Sequence, residues 1–145
     1  MDRIQYVYTV GMDESDVEAH LDSEHTGVLA LADDGDAYAV PISYVYDDGR
    51  LFLRFSDDAH SEKLDLVEST DRATFVVFGA EGERDSWSVL FRGRVRDLDE
   101  TDPEFDLVRL NEAFPPLRIF DEDIADVTVR VCEFEIEQLT ARKTA

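Results

Sequence analysis

The residues best suited to chemistry lie in one run, Arg54-Phe55-Ser56-Asp57-Asp58-Ala59-His60-Ser61-Glu62-Lys63. It holds one of only two lysines, one of three histidines and two hydroxyls, just where a helix is expected to begin. Backbone N–H groups at a helix start, with Arg and Lys nearby, are a common way to hold a phosphate. The run therefore suits an anionic ligand carrying one. The competing reading is that Arg54 and Lys63 pair with the acids around them.

Other chemistries find less support. His20, His25 and His60 are the only imidazoles, and the five-residue spacing of His20 and His25 does not place them on one helical face, so no metal site is expected. Asp33-Asp34-Gly35-Asp36 is shorter than a calcium loop and lacks its terminal Glu, and it reads as a solvated turn. The single cysteine, Cys132, lies inside an alternating strand with no base nearby in sequence, and it reads as structural. There is no Gly-x-Ser-x-Gly elbow, no phosphate-binding P-loop and no Gly-x-Gly-x-x-Gly.

Charge narrows the choice of partners. The 145 residues carry 14 basic and 35 acidic side chains, a formal net charge of −21. Nucleic acids and anionic membranes are bound by neutralising phosphates, and a field of this sign opposes both. Of the acids 21 are Asp, and 12 of the bases are Arg. This composition suits molar salt, where the Debye length shrinks to about 3 Å and acid crowding is screened, so a halophilic source is expected. No apolar run approaches the roughly 20 residues of a membrane span. Met1 to Val10 do not read as a secretory signal, so a cytoplasmic location is expected.

The elements that must position the run follow from periodicity. Met12-Asp13-Glu14-Ser15 opens a helix to about Ser23, with Val17 and Leu21 on one face. Strands follow over Thr26–Ala32, Tyr38–Tyr46 and Leu51–Phe55, joined by turns at Asp34-Gly35 and Asp48-Gly49 that favour tight hairpins. A second helix is expected from Ala59 to Glu68, strands over Ala73–Phe78 and Ser86–Leu98, a third helix from Asp102 to Pro115, and a last strand over Val127–Leu139. One domain spanning residues 1–145 is expected, mainly β with short helical insertions. Six strands that hide their edges predict a closed or partly closed antiparallel barrel, with an open α+β sandwich as the alternative.

Five stretches in order, Gly27–Leu31, Asp34–Tyr44, Gly49–Arg54, His60–Leu64 and Trp87–Gly93, resemble the pyridoxamine 5′-phosphate oxidase-like flavin-binding split-barrel family, on the side of its nitroimidazole-resistance and flavin-nucleotide-binding branch. The resemblance implies a six-stranded split β-barrel of Greek-key type and a homodimer, with FMN in clefts at the subunit interface. It also implies that the backbone of Val40, Pro41, Ile42, Ser43 and Tyr44 lies along the flavin ring, that Leu53 and Arg54 continue the contact, and that Lys63, with His60 and Ser61, binds the phosphate. Ser88 stands where the oxidases carry a flavin-binding Gln, with Trp87 beside it. Val40 replaces an oxidase phosphate-binding Arg, Glu62 replaces the Arg before the Lys, and no counterpart of the substrate-binding C-terminal segment follows Val127. Oxidation of pyridoxamine phosphate itself is therefore not expected.

Three functions stay open: an FMN-dependent oxidoreductase acting with a small-molecule electron donor or acceptor, a flavin carrier without turnover, and a relative holding haem or a deazaflavin in the same cleft. The homodimer interface is expected to include the strand of Trp87, on the resemblance and on the apolar alternation of Trp87, Val89 and Phe91.

Overall fold

The computed structural model describes residues 9–57, 62–80, 85–98 and 128–144. These form β1 (Thr9–Gly11), α1 (Glu14–Asp22), β2 (Thr26–Asp33), β3 (Asp36–Asp47), β4 (Arg50–Asp57), α2 (Glu62–Ser69), β5 (Ala73–Ala80), β6 (Ser86–Asp97) and β7 (Thr128–Thr144). Each Asp-Gly pair turns the chain in two left-handed residues, with φ of 50° at Asp34 and 83° at Gly35, then 51° at Asp48 and 77° at Gly49. That pair of conformations matches the twist of a tight hairpin. It makes β2, β3 and β4 an antiparallel meander.

After α2 the chain returns to the far side of β2, so that β5-β2-β3-β4 lie in Greek-key order. β6 pairs with β5, and β7 pairs with both β4 and β6, closing six strands into an antiparallel barrel. β1 is added at the end of β7, through Thr9–Thr144 to Gly11–Arg142. The expected mainly β split barrel is the fold observed. No helix among the described residues is long and apolar enough to cross a membrane.

Alternation along the strands sorts side chains between the barrel interior and the outside. Leu29 and Leu31 of β2, Leu51, Leu53 and Phe55 of β4, Phe75 and Val77 of β5, and Val89 and Phe91 of β6 are buried inside. β7 contributes Phe134 and Cys132, whose thiol donates to Asp97 Oδ1 at 3.3 Å. Cys132 is thus a buried structural residue, as its place in an alternating strand implies. α1 packs against one side of this core through Val17 and Leu21, and its N-cap Asp13 accepts from the Asp16 N–H. Three contacts fasten it: the Tyr44 hydroxyl donates to Leu21 O at 2.6 Å, Lys143 Nζ meets Asp16 Oδ2 at 2.6 Å, and the His20 ring lies edge-on to Trp87.

Gly93 marks the one irregular point in the β6–β7 ladder, where the register slips by a residue after Arg92. A Cβ there would lie 1.9 Å from Glu135 O, so the strands approach this closely only because the side chain is absent.

The fold departs from the expectations in specific places. β7 runs on to Thr144 instead of ending near Leu139, because β6 and β1 supply ladder partners along its final residues. β1 was not foreseen at all. In β6 the side chains of Val89 and Phe91 are fully buried and Trp87 is partly buried against the core, while Ser88, Leu90 and Arg92 face outward. The helix expected over 102–115 and the first residues of the one expected from Ala59 lie outside the described residues.

One ionic cluster lies on the outer face where β4, β7 and β6 meet. Arg50 grips Glu133 through two hydrogen bonds of 2.9 Å, Arg96 reaches the same carboxylate at 2.7 Å, and Arg96 also meets Glu135 at 2.9 Å. Burial pushes the Glu133 carboxyl up, but the hydrogen bonds and charges of the two guanidinium groups together hold it below the ordinary carboxylate value. A carboxyl depressed in the folded state contributes stability above its unfolded pKa and loses it as pH falls through the folded value. Glu133→Gln should therefore cost about 1–2 kcal/mol at pH 7, since both arginines are partly solvated. The difference from the parent should narrow as pH falls below the ordinary carboxylate range and through the depressed folded value, where the parent carboxyl takes up its proton as well. Urea melts of both proteins from pH 7 down to the lowest pH at which the parent stays folded check this, and a difference independent of pH would contradict it.

Candidate functional site

The register of β3 and β4 creates the site. Pairing runs from the hairpin, Asp47–Arg50, to Ser43–Arg54 and stops there. Beyond that pair β3 stays on β2 through Ile42, Pro41 and Val40, while β4 stays on β7 through Phe55, Ser56 and Asp57. The two strands part there, and their facing edges make no ladder pairs with each other beyond Ser43–Arg54. Pro41 suits this place, because a proline nitrogen cannot donate and is tolerated in a sheet where its edge has no ladder partner.

Arg54 and Ser43 stand side by side at the apex. Arg54 lies on the outer face of β4 between Ser43 and Val131, half-buried, and burial alone pushes its guanidinium downward. A guanidinium beside Ser43 at this point is of the type that meets an anionic group such as a phosphate. At the far end β4 leads toward α2, whose second residue is Lys63. His60 and Ser61 lie outside the described residues.

The remaining expected site residues divide into those where the strands part and those away from there. Val40 is partly buried and Pro41 exposed on the β3 edge, so both offer main-chain groups there. Ile42, Tyr44 and Leu53 are buried side chains of the core, and only their backbone can face a ligand. Tyr44 in addition stacks edge-on to Phe75, and burial, with Glu24 and Asp22 nearby, holds its hydroxyl protonated far above the usual tyrosine range. Trp87 and Ser88 sit at the start of β6, opposite Lys143 and Arg142. There Trp87 packs on His20 and covers Gly79, whose missing side chain makes room for the indole. No described contact joins this pair to the apex.

Lys143 is a positive residue committed elsewhere than to a phosphate. It is a lysine in an acidic chain, as Lys63 is, but its ammonium is held by Asp16, whose hydrogen bond raises its pKa, with Asp13 nearby. It fastens α1 to β7. The parting of β3 from β4 was also not foreseen, because both stretches read as continuous strands and only their register separates them.

Comparison with solved structures gives the same fold throughout. A FAD-binding protein from Mesorhizobium loti superposes with a TM-score of 0.68 at 20% identity, covering 94% of this chain and 97% of that one. The FAD-binding protein from Mycobacterium smegmatis gives 0.68 at 19% identity, with 93% and 98% covered. A haem-binding protein from Mycobacterium smegmatis gives 0.63 at 20% identity, with 91% of this chain and 55% of that one covered. Likeness at these identities concerns the fold. No curated protein sequence matches the chain. A family model described as pyridoxamine 5′-phosphate oxidase matches residues 13–143.

Proposed function

Because the chain belongs to the pyridoxamine 5′-phosphate oxidase family, we propose that it holds FMN in the crevice between β3 and β4 and acts as a flavin-dependent oxidoreductase. The observation that carries this is the end of the β3–β4 ladder at Ser43–Arg54, which leaves an open strand edge beside a partly desolvated guanidinium. A planar ring lies against the edge from Val40 to Ser43, while Arg54 and Lys63 attract the phosphate. The main chain of β3 orients the ring, since the side chains of Ile42 and Tyr44 are committed to the core.

Bound flavin supplies hydride or single-electron transfer, so the protein's part is to bind, orient and limit the access of water. No side chain is required as a general acid or base. FAD-binding neighbours support a flavin, and the choice of the mononucleotide follows the resemblance of Val40–Tyr44 and His60–Lys63 to the FMN-binding family.

The second reading is haem, favoured by the haem-binding neighbour. Haem needs an axial ligand, and His60 is the imidazole nearest to the crevice in sequence. A carrier without turnover is separated from an enzyme by adding NAD(P)H under nitrogen: bleaching of the flavin supports the enzyme, and an unchanged spectrum supports the carrier.

Phosphate recognition is tested by titrating FMN and riboflavin in molar potassium chloride. Charge-assisted contacts contribute about 1.5–3 kcal/mol each, so Lys63→Ala should weaken FMN binding about ten- to hundredfold and leave riboflavin unaffected. Equal affinities for FMN and riboflavin in the parent would contradict the assignment, and an unchanged FMN affinity in the variant would place the phosphate elsewhere.

A further inference from the structure

Arg92 and Arg94 project from the outer face of β6, both exposed, on either side of Gly93. Among the described residues neither guanidinium meets a carboxylate, in a chain that carries 35 acidic side chains against 14 basic ones. Arg50, Arg72, Arg96 and Lys143 each meet one, and Arg54 and Arg142 are engaged as well. Glu135 stands in register with Arg94, yet its carboxylate turns to Arg96 at 2.9 Å. Arg50, Arg96, Glu133 and Glu135 thereby balance two against two and leave nothing over for Arg94. Glu137, the residue of β7 that the register slip passes over, reaches Arg72 at 3.9 Å.

The neighbours of Arg92 suit an anion. Across the sheet it stands between Thr74 of β5 and Gln138 of β7, a hydroxyl and an amide that both can donate and that carry no competing charge. The slip after Arg92 is a bulge, a feature that raises local twist and re-aims the side chains beside it. Alternate residues of a strand lie about 7 Å apart, so two guanidinium forks placed this way can reach one molecule.

We infer that Arg92 and Arg94, with Thr74 and Gln138, bind a small polyanion, a molecule carrying two carboxylate or phosphate groups. One acidic group takes the Arg92 fork with the Thr74 hydroxyl and the Gln138 amide beside it, and the second takes Arg94. A planar guanidinium meets either oxyanion through two parallel N–H···O bonds, so the two acids share one recognition chemistry. A large acidic partner is disfavoured, because beyond the two arginines it would meet the rest of a surface with a net charge of −21, whereas a small molecule touches the arginines alone. The site is separate from the proposed flavin site. The β7 partners of Arg54 and Arg92 are Val131 and Gln138, roughly 20 Å apart along the strand.

The test is isothermal titration calorimetry of the full chain in 1 M potassium chloride, without divalent metals or added flavin, using pyrophosphate, citrate and acetate as probes. Pyrophosphate or citrate should bind about tenfold or more tightly than acetate. Binding of pyrophosphate alone marks a phosphorylated ligand, and binding of citrate alone a polycarboxylate; if neither exceeds acetate, the inference is overturned. Arg92→Gln and Arg94→Gln should each weaken the bound probe about tenfold, with circular dichroism as the check on folding. Arg92→Lys keeps the charge but loses the fork, and it should also weaken the probe severalfold, while Arg142→Gln removes a charge elsewhere on β7 and should leave binding unchanged. An unchanged affinity in Arg92→Lys, or an equal loss in Arg142→Gln, would show a diffuse response to charge and overturn the site. Lys63→Ala should not alter probe binding, and a loss there would move the probe to the flavin site and overturn this one. No readout here uses flavin, so the two readings fail separately.

Discussion

Phe91→Ala should lower the stability of the folded chain by about 3–5 kcal/mol, the usual cost of emptying a phenylalanine site in a packed core. Phe91, Phe75 and Phe134 come from β6, β5 and β7, and each is no more than 1% exposed. Their ring centroids form a nearly equilateral triangle, with sides of 6.4, 6.5 and 6.4 Å. Removing this corner strips one aromatic partner from each of the other two rings and takes the partner of the Tyr46 ring as well. Neighbouring side chains are fixed by strands paired on both sides, so the void cannot close by local collapse. Typical domains are stable by only 5–15 kcal/mol, so this change removes a large share of the total. Urea melts in molar salt measure it, and a loss under 1 kcal/mol would show that the barrel interior is far less tightly packed than the structure indicates.

The thermal midpoint should rise steeply between 0.05 and 3 M potassium chloride. Molar salt shortens the Debye length to about 3 Å, whereas at 0.01 M it is about 30 Å and every one of the 35 carboxylates feels the summed field of the rest. The effect should exceed the loss of any single surface ion pair, worth about 0–1 kcal/mol, because repulsion acts across the whole domain. An anionic cofactor meets the same unscreened potential, so flavin should leave with the fold or before it. A midpoint that stays flat or falls as salt rises would mean that the acidic surface is not an adaptation to high salt.

Local signals made much of this barrel legible. The two Asp-Gly turns specify β2, β3 and β4, because each turn requires left-handed residues at two successive positions and tolerates few sequences. The helical face of Val17 and Leu21, and the apolar alternation of β5 and β6, follow from composition in the same way. What resisted reading depends on pairing between distant segments. β1 is three residues long and exists through partners at Arg142 to Thr144, at the other end of the chain. The direction in which Trp87, Val89 and Phe91 point is likewise set by the barrel, since an alternating strand offers an apolar stripe without saying whether a core or a partner will cover it.

The same division holds for the site. Arg54 and Lys63 stand out by residue type in an acidic chain, and the structure places Arg54 at the last pair of the β3–β4 ladder. The parting of the strands arises where the β3–β4 ladder stops after Ser43–Arg54, a register property with no local signature except Pro41. Tyr44 and Leu53 show the limit of reading side chains from such a segment, because their ring and isobutyl group belong to the core and leave only main chain for a ligand.

The most direct measurement is an absorbance spectrum, followed by chromatographic identification, of the ligand released from the purified protein in molar potassium chloride. FMN near one per chain is the expected result. A Soret band from haem, or protein that stays colourless after incubation with excess FMN, would contradict flavin binding in the β3–β4 crevice.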